Sequence, residues 1–334
     1  MPAIHQILVA VKELNGKSLP AVLKAAQFAR GYGARLELFH ALTSPVYTDP
    51  IVMRNQGPNS IEQDMRQNAL RRLEAIADRL RKHSIKVAVS AGWDYPCHEA
   101  IIRRAQTIKA DLIVASRHAG RHRASWLLRL TDWELVRLSP IPVLLVKNPH
   151  PYRHPAVLAA IDPGRAHEKP LQLDQEILRA GRAITTALRG TLHAVHAYAR
   201  FPVGVPSEVL KPGMLEDMQN EAERAARARV VRALRSTRIA PSRQYLLAQP
   251  PIEAITEATH KSRSAIVVMG AISRSGYKRL LIGNTAEQIL DDLTCDIMVI
   301  KPTTFRNRVP RASRGARFRP SVPAEALGIS FGYY

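Results

Sequence analysis

The chain has 334 residues, 46% apolar and 5% aromatic, which is enough for two ordinary domains with their own cores. That composition excludes a disordered chain, and no window nears the run of about eighteen apolar residues that a membrane span needs. Two cysteines, Cys97 and Cys295, exclude a disulfide framework, and the net charge of +21 favours anionic partners without selecting one. The charge is spread over helices and tail, which favours an arginine-rich composition that keeps the chain in solution.

Ile7 to Val11 reads as a first strand, after an N-terminus with no basic leader and no small-residue cleavage site, so residence in the cytoplasm is expected. Leu19 to Arg30 reads as an amphipathic helix, with Leu19, Val22, Leu23, Ala26 and Ala29 on one side and an end at Gly31. Arg35 to Leu42 is a strand, and Ser44 to Ser60 a long loop rich in Pro, Asn and Gly. Ile61 to Lys82 is a long helix with Met65, Ala69, Leu73, Ile76 and Leu80 apolar. Strands at 85–90, 112–115 and 142–146 alternate with helices at 98–108 and 131–138. Asn148 to Pro155 carries three prolines and no periodic apolar face, which marks a linker.

The same order then starts again. Strands are expected at 157–161, 191–197, 245–247, 265–269 and 295–300, with helices at 171–188, 215–234 and 252–260. An offset of 154 positions pairs Glu99-Ala100-Ile101 with Glu253-Ala254-Ile255, Thr131 with Thr285 and Lys147 with Lys301. Strands alternating with helices, without hairpin signals, imply parallel sheets. The expectation is an α/β fold of two tandem open parallel five-stranded sheets flanked by helices. The domains are 3–147 and 156–303, the linker is 148–155, and a basic tail with arginines from Arg306 to Arg319 fills 304–334. With few apolar residues the tail is expected to be disordered.

Ala265 to Pro302 carries the chemistry. A buried strand runs into a basic loop with Gly270, Gly276 and Gly283, and then into the polar helix start Asn284-Thr285-Ala286-Glu287. A strand, a glycine loop and a helix N-terminus can together hold a phosphate, because backbone N–H groups and the helix dipole favour negative charge.

Each half resembles a universal stress protein domain, whose hallmark loop is Gly-x2-Gly-x9-Gly-(Ser/Thr) after the fourth strand. In the second half the loop reads Met269-Gly270-Ala271-Ile272-Ser273 and then Gly283-Asn284-Thr285. The segments TDWELVRLSPIPVLLVK and GNTAEQILDDLTCDIMVIKP resemble the tandem E-type members of that family. The resemblance implies an adenine-nucleotide alpha-hydrolase-like fold and a non-enzymatic cytoplasmic stress-response protein. It also implies resistance to stress including DNA damage, and in some members an ATP crevice beside the first and fourth strands. Pairing through the last strands is common in the family, so an internal pseudo-dimer of the two halves is expected, with a homodimer as a further option.

Carried over by position, Asp162 stands where binding members place an aspartate against ribose or adenine, and Ala197 stands at a backbone contact on the second strand. Met269 and Gly270 match the strand end and first glycine, and Gly283 the third. Ser273 replaces the second glycine, adding a Cβ where the backbone must approach a ligand. Asn284 replaces the Ser/Thr that would hold phosphate, with Thr285 beside it; Gly276 and Arg274 keep an anion site open. In the first half Lys12 replaces the aspartate, and Ser116, Ala119 and Arg129 replace the glycines, so no nucleotide is expected there. ATP, with Mg only if ATP binds, is the cofactor these residues admit in the second half, and a small phosphorylated ligand is the partner class.

No Walker loop and no dinucleotide fingerprint occurs. His118 with His122 and His150 with His154 have metal-pair spacing but lie in loops without a carboxylate or cysteine companion, so no metal site is expected. His193 and His196 point to opposite faces of one strand. Cys97, before a helix N-terminus, could be a low-pKa redox thiol, although plain packing is favoured because nothing positions a substrate beside it. Two further functions compete with the leading one: a nucleic-acid-associated module acting through the arginine-rich tail, and a weak ATPase, for which the loop offers no general base.

Overall fold

Runs of almost wholly apolar residues have to be covered on both faces, and in the computed structural model six of them form the middle of one sheet. The structure describes residues 4–16, 18–43, 46–48, 50–116, 126–165, 172–199, 212–271, 292–315 and 318–320. In chain order the first half runs β1 (Gln6–Ala10), α1 (Pro20–Tyr32), β2 (Arg35–Leu42), β3 (Val46–Thr48), α2 (Pro50–Arg81), β4 (Val87–Trp93), α3 (Cys97–Thr107), β5 (Leu112–Ser116), α4 (Trp126–Leu138) and β6 (Val143–Val146). The second runs β7 (Ala156–Ala160), α5 (Leu173–Leu188), β8 (Thr191–Ala197), α6 (Pro212–Leu234), β9 (Gln244–Leu247), α7 (Pro251–Ser262), β10 (Ile266–Gly270) and β11 (Asp296–Ile300), and β12 (Phe318–Pro320) follows.

Each half is a parallel five-stranded sheet, and the two are joined edge to edge. The full order is β4-β2-β1-β5-β6-β11-β10-β7-β8-β9. Only the junction is antiparallel, with Val143 opposite Val299, Leu144 opposite Met298 and Leu145 opposite Ile297. The expected internal pairing through the last strands is therefore present. Two apolar layers cover the sheet, and both run across the junction: Val146, Val157 and Ile300 share one, Leu145, Leu158 and Val299 the other.

Helix α1 shows how the junction constrains sequence. It ends at Gly33, in the left-handed region at φ 69°, and not at Gly31 as expected. Gly31 lies inside the helix where α1 packs on α5, and a Cβ there would sit 2.5 Å from the Ala187 carbonyl oxygen. Close approach, not termination, is what that glycine provides. Leu23, expected on the buried side, is exposed, and the covered face is Ala21, Val22, Ala25, Ala26, Phe28 and Ala29.

Two further expectations are corrected. Residues 50–60 belong to α2 and are not loop: the helix runs through Gly57 and Pro58. The stripe Ala69, Leu73, Ala77 and Leu80 anchors it, and Met65 is exposed. A packed stripe of that length outweighs loop-forming residues near one end.

The tail is also not free from 304 to 315. It crosses to the first half and packs along α3, with Val309 buried there. The Pro310 carbonyl accepts from Arg103 Nη1 at 3.0 Å, and Arg314 N–H donates to Asp94 Oδ1 at 3.0 Å. Arg103 also binds Asp94 through both oxygens, at 2.7 and 2.8 Å. One apolar anchor and a bidentate ion pair hold a segment whose composition alone reads as unfolded. Residues 318–320 pair in parallel with β3.

The junction is fixed by a buried polar node. Asp296, with no exposure, accepts from Lys24 Nζ at 2.5 Å, Tyr152 Oη at 2.5 Å, and the N–H groups of Lys147 and Asn148 at 2.8 and 3.0 Å. Breaking a buried pair leaves an uncompensated charge at a cost of about 3–5 kcal/mol. Asp296→Ala should lower unfolding free energy by about that amount in urea titration, whereas a loss below about 1 kcal/mol, the size of a surface pair, would refute the role given to the node. Burial, with Arg137 nearby, pushes Lys301 down to about 8, from 10.5. Above about pH 8 the folded chain sheds that proton while the unfolded lysine keeps it, so stability rises with pH from 8 toward 10.5. Urea midpoints between pH 7.5 and 9 should rise in the wild type more than in Lys301→Met; equal slopes would contradict this.

Candidate functional site

In a parallel sheet, ligands collect at the carboxyl ends of strands where the chain leaves in opposite directions. This fold has two such points. β1 lies between β2 and β5, and β7 lies between β8 and β10.

At the second point β7 continues through Ile161 to Asp162. The Asp162 N–H donates to Asp174 Oδ1, in the first turn of α5, at 3.1 Å. Its carboxylate is about one-third exposed, at 34%, and lies 3.9 Å from His196 Nδ1 on β8. That ring is buried; Nδ1 lies 3.3 Å from the Ile161 carbonyl, and Nε2 has no partner among the described residues. Burial pushes the His196 pKa down; Asp162 and the Ile161 carbonyl pull it up, Arg229 on α6 pushes it down again, and the net direction is downward. A neutral ring follows, with Nδ1–H donating to the carbonyl. Gly164 brings the next turn to this point: a Cβ there would stand 3.6 Å from Asp162 Oδ1 and 3.8 Å from both Arg229 Nε and His196 Cε1. A carboxylate, an imidazole and a guanidinium thus meet around Gly164, a set of groups that suits hydroxyl groups and an anion.

The sequence-based site residues divide into two sets. Asp162 sits at the crevice. Ala197 ends β8, paired with Leu247, and Met269 and Gly270 end β10 beside β7. A Cβ on Gly270 would come 2.6 Å from the Leu173 side chain, so this first loop glycine also makes room for α5. Ser273, Gly276, Gly283, Asn284 and Thr285 lie outside the described residues. His196, Asp174 and Arg229 were missed as members of the site. An acidic first turn after the first strand of the half was a readable signal for Asp174; Arg229, one arginine among many on α6, gave none.

The first half closes its charge internally. Lys12, after β1, donates to Asp132 Oδ1 of α4 at 2.5 Å, and both side chains are mostly buried. A cavity of about 470 Å³ remains between β1, β2 and α2, walled by Phe39, Leu42, Met65 and Trp93. Its polar lining includes His40, whose Nδ1 binds the Val11 carbonyl at 2.7 Å and whose pKa burial pushes down. The strand end that carries an aspartate in the second half carries a cation here, already matched by a carboxylate.

The remaining candidates are placed as follows. Burial pushes the Cys97 thiol up to about 11, with Lys12 opposing, so the low-pKa alternative is corrected. Desolvation of the thiolate outweighs the helix N-terminus. Cys295 is buried and pushed up to about 12. His193 stacks on Tyr245, while His196 lies on the other face of β8, as alternation requires. His118 and His122 lie outside the described residues, and among those described no group of side chains is arranged to hold a metal ion. Among the described residues, no helix is long and apolar enough to cross a membrane.

Comparison with known proteins bears on both halves. The universal stress protein family pattern matches residues 3–147 and 157–301. Universal stress protein E of Escherichia coli K12 is 26% identical over 316 residues, covering 92% of this chain and 97% of that protein. Universal stress protein E of Photorhabdus laumondii is 23% identical over 306 residues, covering 91% and 97%. Among solved structures, a functionally unknown protein of Pseudomonas aeruginosa PAO1 superimposes with a TM-score of 0.67 at 23% identity over 90% of this chain and 94% of that one. A universal stress protein of Archaeoglobus fulgidus gives 0.58 at 15% identity, over 89% and 98%. These two share the fold.

Cys295 should resist a disulfide reagent at pH 7.5 in the native protein, whereas half-buried Cys97, which lines the cavity of about 470 Å³, should react more slowly than free cysteine because its thiol pKa is raised. A native thiol that reacts as fast as free cysteine would contradict the burial of Cys295 or the raised pKa of Cys97.

Proposed function

Since the chain belongs to the universal stress protein family, matched once in each half, we propose that it is a cytoplasmic stress-response protein that binds one ATP, or a similar phosphorylated ligand, in its second half and does not turn it over. The observation that carries this reading is the contrast between the two strand ends. Asp162 stands at a crevice beside His196 and Arg229, whereas Lys12 is closed off by Asp132.

The roles follow from chemistry. The Asp162 carboxylate accepts hydrogen bonds from ribose hydroxyls or an exocyclic amine, and its backbone is set by Asp174. The backbone at Ala197 offers an edge to the base, next to the chain that continues to Tyr198, whose N–H is bonded to Leu247. Met269 and Gly270 form the floor, with Gly270 opening into the segment that contains Ser273, Gly276, Gly283, Asn284 and Thr285. By the family pattern that segment takes the phosphates, with Mg accompanying them. Arg229 supplies a cation at the same crevice. Protection against DNA-damaging stress is the cellular role proposed with it.

Calorimetry with Mg-ATP should show a site in each chain that depends on Asp162. Asp162→Ala and Gly283→Val should each weaken it by at least about tenfold, the loss expected for a charged hydrogen bond or a blocked phosphate loop, and ATP should remain intact after overnight incubation. Absence of heat at millimolar nucleotide would remove the nucleotide reading, and release of phosphate that Asp162→Ala abolishes would replace binding with hydrolysis.

A further inference from the structure

The amino ends of β7 and β10 and the linker between the halves enclose a second cavity, of about 570 Å³. It lies at the edge of the sheet opposite the crevice, since the crevice is at the carboxyl ends of the same strands. Its lining includes Lys24, His150, Arg153, His154 and Arg263, and no described lining residue is a carboxylate. Lys24 is already committed to Asp296 and to the Asn148 carbonyl, at 2.5 and 2.7 Å, so it contributes a closed pair to the wall. Arg153 and Arg263 differ: among the described residues, neither side chain has a hydrogen bond or an ion pair.

A helix C-terminus attracts cations without any ligand, and that could account for Arg263, which caps α7. His260 and Lys261 already occupy the last turn of that helix, however, and Arg153 lies on the linker, where no helix pole asks for charge. The wall is also held in place. Lys24 grips Asn148, Gln27 binds Tyr152 through both its N–H and its carbonyl at 2.9 Å, and His154 Nδ1 meets the Arg189 carbonyl at 3.0 Å. Arg153 projects from a segment fixed on either side, so little ordering remains to oppose binding.

We propose that this cavity binds a small oligophosphate between Arg153 and Arg263. Guanidinium groups match phosphate oxygens in a bidentate geometry. Two of them from separate elements, lining one cavity, suit a ligand carrying two or more linked phosphates. The volume falls in the range of small-ligand sites, about 300–1,000 Å³. The phosphates could be inorganic or the tail of a nucleotide; the shared chemistry is the oligophosphate. The site is independent of Asp162 and stands whether or not the crevice takes ATP.

The test is calorimetric titration of the full chain with inorganic tripolyphosphate at about 0.15 M salt, where long-range attraction by net charge is screened. One saturable site is expected. The double variant Arg153→Gln/Arg263→Gln should lose at least about tenfold in affinity, as for removal of charge-assisted hydrogen bonds. Arg71→Gln/Arg79→Gln, which removes equal charge from the exposed face of α2, should bind as the wild type does, and so should Asp162→Ala. ATP in place of tripolyphosphate distinguishes the sources: a second nucleotide site lost only in the Arg153/Arg263 variant assigns the tail of a nucleotide, and its absence assigns inorganic oligophosphate. Lack of saturable tripolyphosphate binding, or equal losses in the two arginine pairs, would overturn the proposal.

Discussion

Asp296 opens β11, is wholly buried, and takes hydrogen bonds from Lys24 of α1, from Tyr152 and from two backbone N–H groups at the start of the linker. A carboxylate withdrawn from water costs several kcal/mol unless its lone pairs are matched, and here all four donors come from beyond its own strand. Burial pushes the Tyr152 hydroxyl well above its ordinary range, so it remains a donor to that carboxylate. The node therefore couples three things: the register of β11 against β6, the seat of α1, and the path of residues 147–152. Under the repeat offset its counterpart in the first half is Pro142, which can do none of this. A ten-stranded sheet built from two similar halves is thereby fastened by one asymmetric cluster.

Fusion of the halves makes two crevices with the same topology and different electrostatics. At β1 the Lys12–Asp132 pair matches the cation that stands in place of the aspartate, with Glu13 and Lys147 also bordering that strand end. At β7 the carboxylate of Asp162 meets solvent, a buried imidazole and an arginine. Under the proposed function, a small difference at one position, aspartate or lysine, separates the switch point that takes the ligand from the one that does not. The C-terminal segment adds to the asymmetry, because Val309 and Arg314 lie against the first half only.

Much of this fold was legible because buried parallel strands and amphipathic helices leave strong periodic signals. β8 is bounded as expected, at Thr191 and Ala197, and the linker ends one residue before β7. What escaped was set by contacts distant in sequence. Gly31 resembles a helix terminator until α5 is placed against it, and Pro50 to Pro58 resembles a loop until the stripe that anchors α2 is seen. Residues 304–315 contain too few apolar side chains to suggest packing, yet one valine, the Arg103 donor on α3 and the Asp94 acceptor just before it suffice. At the candidate site, the family pattern pointed to Asp162 and Gly270, whereas the placing of His196 and Arg229 beside Asp162 depends on how β8 and α6 converge, which spacing along the chain does not encode. The basic linker was visible as three prolines with two histidines, and its place on one cavity with Arg263 was not.

The central claim is that one strand end, at β7, receives a nucleotide while its twin at β1 does not. Crystals grown with Mg and a non-hydrolysable ATP analogue test it most directly. The account predicts one adenosine moiety per chain, its ribose against Asp162, with the Lys12–Asp132 pair intact. A nucleotide lodged beside Lys12, or both crevices without one at saturating concentration, would contradict it.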